Sequence, residues 1–288
     1  MPKVTVHGVE LSYADTGAPM EHALGAGTAL LFHHGYTSSG SRWDGVVSRL
    51  RDRYRCVSFD ARGTGESAAP VDGYTMANYA ADVLGLADVL GLERFTFVGH
   101  SMGGGVGFFL AAHHADRLEK LILMAPVPAN GGTLPRSERE DRLDRWRRRD
   151  AEAIARRRYA GSARGISRES ARAEAERELS ASEGHMVESL EAMEGLRLGE
   201  RLPEMMTPTL MLAGATDALL PYNLHDFGKL GNATLHVFSR VGHGISSEVP
   251  AAVSRVIPDF LEHGVITAAT LAQRAAAPED GQGSGEGR

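Results

Sequence analysis

The segment Gly99-His100-Ser101-Met102-Gly103 sets a serine between two glycines, directly after the apolar run Phe95 to Val98 and ahead of a helical pattern through Gly107, Phe108 and Leu110. Strand, tight turn and helix in that order push a serine hydroxyl into the open as a nucleophile. The glycines are needed because a side chain at either position would strike the neighbouring strand or helix. A serine hydroxyl attacks weakly until a base takes its proton. Of the twelve histidines, His243 is the best placed, since Gly242 and Gly244 flank it on a loop just beyond the apolar run Leu235 to Phe238. His100, inside the turn itself, is expected to pack or hydrogen-bond beneath the serine. The base needs a carboxylate on its far nitrogen to hold its tautomer, and Asp217 closes Ala213-Gly214-Ala215-Thr216-Asp217 just past the run Thr209 to Leu212. Asp226 is the nearest rival, but its place in a helical pattern directs it away from the strand ends.

Acyl transfer through such a serine also needs two N–H donors for the developing oxyanion. Met102 supplies one from the residue after the nucleophile, and the second is assigned to Tyr36 in Phe32-His33-His34-Gly35-Tyr36-Thr37, where Gly35 lets the backbone swing. The pair His33-His34 is not read as a metal site, because adjacent side chains diverge and no third ligand has suitable spacing. No metal and no cofactor are expected.

These groups must be held by a particular succession of elements. Val4 to His7 and Glu10 to Tyr13 flank the turn signal Gly8-Val9 as an opening hairpin. Apolar runs then follow at Ala29 to Phe32, Cys56 to Phe59, Phe95 to Val98, Leu121 to Met124, Thr209 to Leu212 and Thr234 to Phe238, with helical patterns such as Tyr79 to Leu90 and Pro250 to Leu261 between or after them. Alternation of this kind predicts an α/β fold: an eight-stranded, mostly parallel sheet with helices on both faces. The stretch 126–203 breaks the rhythm and predicts an inserted helical cap on a core made of 1–125 and 204–264. Its arginines, Arg136 to Arg158, alternate with acids and are expected to form a solvated face of i,i+4 pairs. The end, 265–288, is expected to be a disordered tail, since Ala275 to Arg288 has no large apolar side chain to offset the entropy of ordering.

Composition narrows the partners. The chain is 42% hydrophobic with a net charge of −6, and no apolar run approaches the roughly 20 residues of a membrane helix. A small-molecule substrate is expected, with neither nucleic acid nor a membrane span. The first residues carry no export signal, so a cytoplasmic location is the expectation. The single cysteine, Cys56, reads as a buried hydrophobe.

Four features, in order, resemble the α/β-hydrolase superfamily over nearly all of Val4 to Leu261: His34-Gly35-Tyr36, Asp60-Ala61-Arg62-Gly63-Thr64-Gly65-Glu66-Ser67, Gly99 to Gly104, and Gly214 to Asp217 followed by Gly242-His243. The resemblance implies a serine-nucleophile, esterase- or lipase-like enzyme. Relatives that act as dehalogenases or epoxide hydrolases carry an aspartate where this chain has Ser101. Acyl-enzyme hydrolysis of a small to medium carboxylic ester is therefore expected. Lactone, thioester or carbon-carbon bond hydrolysis, or ligand binding without catalysis, are the alternatives on the same scaffold. Met186 and Met193, at near-helical spacing in the cap, are the expected substrate contacts.

Overall fold

The computed structural model describes residues 1–18, 29–132, 135–268 and 270–272. Eight strands form one sheet: β1 (Lys3–Val6), β2 (Val9–Asp15), β3 (Ala29–His33), β4 (Arg55–Phe59), β5 (Phe95–His100), β6 (Leu118–Met124), β7 (Thr209–Gly214) and β8 (Ala233–Phe238). Their order across the sheet is β1-β2-β4-β3-β5-β6-β7-β8. β1 and β2 pair antiparallel, β2 meets β4 antiparallel, and all later pairings are parallel. The mostly parallel sheet expected from the alternation of runs is the one the chain builds. The opening turn lies one residue earlier than the pattern suggests: Val6 pairs with Val9, and His7 and Gly8, both at positive φ, make the two-residue connection.

Side chains alternate across the central strands and divide the core in two. Leu31 and Phe97 point to one face, under α2 (Met76–Val89) and α3 (Met102–His113), while Leu30, Phe32 and Val98 point to the other, under α1 (Asp44–Leu50) and the last long helix, Pro250–His263. Because both faces are covered, β3 and β5 are buried along their whole length, which is why they read as continuous apolar runs. The chain leaves β3 toward β4 on one side and returns to β5 on the other. This reversal opens a crevice beyond the carboxyl ends of β3 and β5, where ligands of open α/β sheets bind.

Between β6 and β7 stand four helices, α4 (Arg136–Arg147), α5 (Ala151–Gly161), α6 (Arg168–Ser180) and α7 (Glu183–Glu194). After β7 come α8 (Leu220–Phe227), α9 (Ile245–Glu248) and α10, the Pro250–His263 helix. Serines and aspartate cap the insertion: Asp150, Ser167 and Ser182 each accept a backbone N–H from the first turn of α5, α6 and α7. The tail expected at 265–288 lies outside the described residues from 273 onward. Among the described residues no helix is long and apolar enough to cross a membrane.

The arginines of α4 and α5 do not form one solvated face. Arg136 and Arg148 are exposed and pair at i,i+4 spacing with Glu140 and Asp144, as the pattern predicts. Arg142 and Arg158 instead turn inward and share Glu178 of α6, whose side chain is 4% exposed. Both also donate to the Thr37 hydroxyl, at 3.1 and 3.0 Å, tying the insertion to the loop after β3. These partners are 20 to 121 residues apart, beyond the reach of any i,i+4 argument.

Burial alone would raise the pKa of Glu178, but Arg142 and Arg158 outweigh it and hold the carboxyl down to about 2. A folded-state pKa below the ordinary value stabilises the fold above the usual glutamate range, and that contribution is lost as pH falls through about 2. Glu178→Gln should destabilise the protein at neutral pH by about 3 to 5 kcal/mol, the cost of leaving buried charges unpaired. The gap between parent and variant in thermal melts should shrink as the buffer is taken from the ordinary glutamate range down toward about 2. A constant gap across that window would show that the network is not held by this carboxylate's charge.

Candidate active site

Ser101 occupies the joint between β5 and α3 with φ 54 and ψ −111, a conformation that costs a non-glycine residue energy and persists only where its surroundings enforce it. Three backbone bonds do so. The Ser101 N–H donates to Met124 O at 3.0 Å, and its carbonyl accepts from Gly105 N and from Val127 N, each at 3.1 Å. The end of β6 and the chain just past it thus hold the turn from one side. Glycine is required around it: a Cβ at Gly99 would collide with the Gly103 carbonyl, and one at Gly103 with the His33 carbonyl.

Asp217 and His243 are brought together by the ends of neighbouring strands. Gly214 pairs with Phe238, and beyond that pair Thr216 N donates to Val241 O at 3.0 Å, so the two loops leave the sheet side by side. His243 Nδ1 donates to Asp217 Oδ2 at 2.8 Å, while Asp217 Oδ1 accepts the Leu219 N–H at 3.1 Å. With Nδ1 committed to Asp217, Nε2 is the ring nitrogen left to exchange a proton. The carboxylate is 4% exposed and the imidazole 41%, so the acid is fixed and the ring faces the cavity. His100, beneath them, donates Nε2–H to the His243 carbonyl at 2.9 Å. Burial drives the His100 pKa well below its ordinary value, so it serves as a neutral strut of the kind expected from its place in the turn. Asp226 spends its carboxylate on the Ala129 N–H, at 2.8 Å, and does not approach His243.

The loop after β3 carries Tyr36 to the same crevice. A Cβ at Gly35 would lie 3.1 Å from the Ser101 Cβ, so backbone and serine are in direct apposition and only glycine fits. Met102 is the first residue of α3, and its N–H has no preceding turn to bond to. His33 and His34 do not point at one another's ligand positions: each donates Nδ1–H to the carbonyl of the next residue, and His34 Nε2 accepts from Ala61 N at 3.0 Å. Burial lowers them to about 3 and about 4, so both are neutral braces for the loop.

The insertion holds Tyr36 in a way the sequence does not announce. Its phenol donates to the Met186 carbonyl at 2.5 Å, and its ring stacks on His185 at 5.4 Å. The Arg142 guanidinium lies 4.5 Å over the same ring. His185 is fully buried, accepts the Thr37 N–H on Nε2 at 3.3 Å and meets the Tyr79 hydroxyl with Nδ1 at 2.9 Å. A lone histidine near the start of a charged helix gives no sequence signal of such a role.

Ser101, His243, Asp217 and Tyr36 all line one cavity of about 680 Å³ that lies between the strand ends and the insertion. That volume suits a small molecule. Val127, Ile166, Leu190 and Met193 supply apolar wall, and Arg42, Arg139, Arg142, Arg157 and Arg158 supply charge. Met186 does not reach the cavity. It is fully buried in the main core beneath Tyr36, which corrects its expected place among substrate contacts.

Comparison with known proteins agrees with this architecture. A family model described as the alpha/beta hydrolase fold matches residues 28–250. RutD of Caulobacter sp. (strain K31), named for a proposed carbamate hydrolase activity, is 33% identical over 246 residues, covering 79% of this chain and 88% of RutD. The non-heme chloroperoxidase of Streptomyces lividans is 29% identical over 278 residues, covering 89% and 96% of the two chains. Among solved structures, a thermophilic esterase from Thermogutta terrifontis superposes with a TM-score of 0.74 at 27% identity, covering 91% of this chain and 97% of that one.

The two methionines of α7 should therefore respond differently to truncation. Met186→Ala opens a hole under Tyr36 and should cost about 2 to 5 kcal/mol in urea unfolding. Met193→Ala should leave stability within about 1 kcal/mol and act on the cavity wall instead. Equal losses of stability would place both residues in the packing between α7 and the core.

Proposed function

The chain belongs to the alpha/beta hydrolase fold family, and from that premise we propose that it hydrolyses small carboxylic esters through an acyl-enzyme on Ser101. The observation that carries this reading is the 2.8 Å bond from His243 Nδ1 to Asp217, on a cavity that also contains a serine held at φ 54. In the first half-reaction His243 Nε2 takes the Ser101 proton as Oγ attacks the ester carbonyl. The oxyanion is received by the N–H groups of Tyr36 and Met102, and His243⁺ returns the proton to the departing alcohol. Water then enters, gives its proton to the same nitrogen and attacks the acyl group, and His243⁺ returns that proton to Ser101 Oγ as the acid leaves and the enzyme is regenerated. Asp217 remains ionised throughout and stabilises the imidazolium. No step of this sequence calls for a metal or cofactor.

Serine, rather than aspartate, as the attacking residue separates this reading from alkyl-enzyme chemistry, in which a carboxylate displaces a halide or opens an epoxide. Lactones and thioesters would pass through the same acyl intermediate, and the cavity rather than the triad decides among them. The apolar wall at Leu190 and Met193 is proposed to receive the acyl chain.

A fluorophosphonate probe should label the parent at Ser101 and leave Ser101→Ala unlabelled. On p-nitrophenyl acetate and butyrate, Ser101→Ala and His243→Ala should each lower kcat by roughly 10⁴ to 10⁶, with the double variant little worse, because the members act as a unit. Asp217→Asn should fold normally and lose on the order of 10⁴, since the amide favours the wrong tautomer. Retention of more than about a tenth of the activity in Ser101→Ala would remove it as nucleophile. Met193→Ala should change the ratio of acetate to longer-chain turnover by about 10-fold or more, as one methylene in an apolar pocket is worth about 1 to 3 kcal/mol.

A further inference from the structure

Arg42 lies in the 3-10 turn Gly40–Trp43, six residues past Tyr36, and its side chain is 9% exposed while lining the cavity. A guanidinium carries five N–H donors and keeps its charge in a protein, so burying one obliges the surroundings to supply acceptors. Here the supply is thin. Nη1 reaches Glu174 Oε1 at 3.5 Å, long for a charge-assisted bond, and Nε has no partner among the described residues. Nη2 lies against the loop of the candidate base: a Cβ built on Gly244, the residue after His243, would stand 3.2 Å from it.

The other charges facing Arg42 are Glu174 and Glu248, together with the cations Arg158 and Arg177. Glu174 is also drawn toward Arg158, at 3.9 Å, and Glu248 accepts the backbone N–H groups of Gly242 and Arg164. Neither carboxylate makes a two-point contact with the Arg42 fork. On the other side of the same loop the Ser162 hydroxyl, also in the cavity wall, is buried without a partner among the described residues. The neighbouring Gly161 carbonyl would stand 3.2 Å from a Cβ on Gly242. Two further unpartnered atoms of the wall, His100 Nδ1 and Arg139 Nε, belong to the strut under Ser101 and to the Glu194 pair.

We infer that Arg42 is the anchor for a carboxylate carried by the substrate, so that the preferred esters are small acid-bearing ones. Half-esters of dicarboxylic acids and acyl esters of hydroxy acids have this chemistry, and a cavity of about 680 Å³ accommodates them. The inference rests on the acyl-transfer reading for the bond that is cut, while the recognition of the anion stands on Arg42 alone.

Two substrate pairs test it. Monomethyl glutarate against methyl glutaramate places the charge on the acyl side, and acetoxyacetate against acetoxyacetamide places it on the alcohol side. The parent should favour the acid over the neutral amide in kcat/KM by about tenfold or more in at least one pair, the size expected of a charge-assisted fork. Arg42→Gln should bring that ratio toward one, and Arg42→Lys should keep part of it. Glu174→Gln, which removes the tie to α6 and leaves the fork free, should hold the ratio or raise it. If Arg42 serves only to clamp the turn to α6, Glu174→Gln will instead reproduce Arg42→Gln.

Calorimetric binding of the favoured acid and its amide to Ser101→Ala reads the anchor without chemistry. The acid should bind about tenfold or more tighter than the amide, and the difference should vanish in Ser101→Ala/Arg42→Gln. Binding of this kind in a protein whose parent cleaves no ester would refute the reaction and leave the anchor standing. Equal treatment of acid and amide by the parent in both pairs, or a ratio untouched in Arg42→Gln, overturns the anchor itself.

Discussion

The backbone of Ser101 is the constraint on which the rest of the cavity depends. A residue with a side chain at φ 54 and ψ −111 is strained, and the strain must be repaid by contacts that exist only when β5, β6 and α3 are in place. Met124 O, Val127 N and Gly105 N provide them. Because the turn is so tight, its neighbours are reduced to glycine: Gly99 faces the Gly103 carbonyl, Gly103 faces the His33 carbonyl, and Gly104 faces Pro126. Gly35 on the next loop faces His100 and Ser101 itself. The small residues are thus a set fixed by one dihedral pair, and an alanine at any of them would press on the same hinge.

From this joint the geometry passes to the other two members of the candidate triad through one side chain. His100 follows Gly99 and precedes Ser101, and its single donated bond goes to the carbonyl of His243. The ring must be neutral for the arrangement to be stable, since a buried imidazolium would face Arg42 and His243 without an anion beside it. Burial enforces that neutrality. Asp217 is meanwhile held by the Leu219 N–H and by the pairing of β7 with β8, so the acid and the loop of the base are positioned by backbone rather than by flexible side chains. Electrostatic preorganisation needs this kind of support, because groups that do not relax on reaction lose no free energy to reorganisation.

What the sequence made legible follows the same division between local and distant causes. The glycine-serine turn, the strand before it and the helix after it are contiguous, so their physics is written in neighbouring residues. The loops at Asp217 and His243 could be placed because each follows an apolar run that reads as a strand, fully buried in β7 and half-exposed at the sheet edge in β8. The arginines of α4 and α5 misled because opposite charges interleaved at short range suggest i,i+4 pairs, whereas Glu178, the partner of Arg142 and Arg158, comes from another helix. Met186 and Met193 share one helix and a similar apolar pattern, yet Met186 packs beneath Tyr36 in the core while Met193 reaches the cavity wall. Periodicity reports which face of a helix is apolar and is silent on what each turn of that face meets.

The attachment of α7 to Tyr36 has a consequence for how the insertion acts. In the proposed mechanism the Tyr36 N–H receives the oxyanion, while its phenol is bound by the Met186 carbonyl and its ring lies between His185 and the Arg142 guanidinium. The insertion is then part of the catalytic support and not merely a roof. Movement of α7 away from the core would release the loop that carries an oxyanion donor, so α7 must stay seated through the reaction. Leu190, Met193 and Glu194 in the second half of α7, with Gly161, Ser162 and Ile166, line the cavity. Changes at the first half of α7 therefore act on the chemical step through Tyr36, whereas changes at Met193, Ser162 or Ile166 act on which molecule is held. The two kinds of effect separate within a single insertion because one backbone N–H and one phenol belong to the same residue.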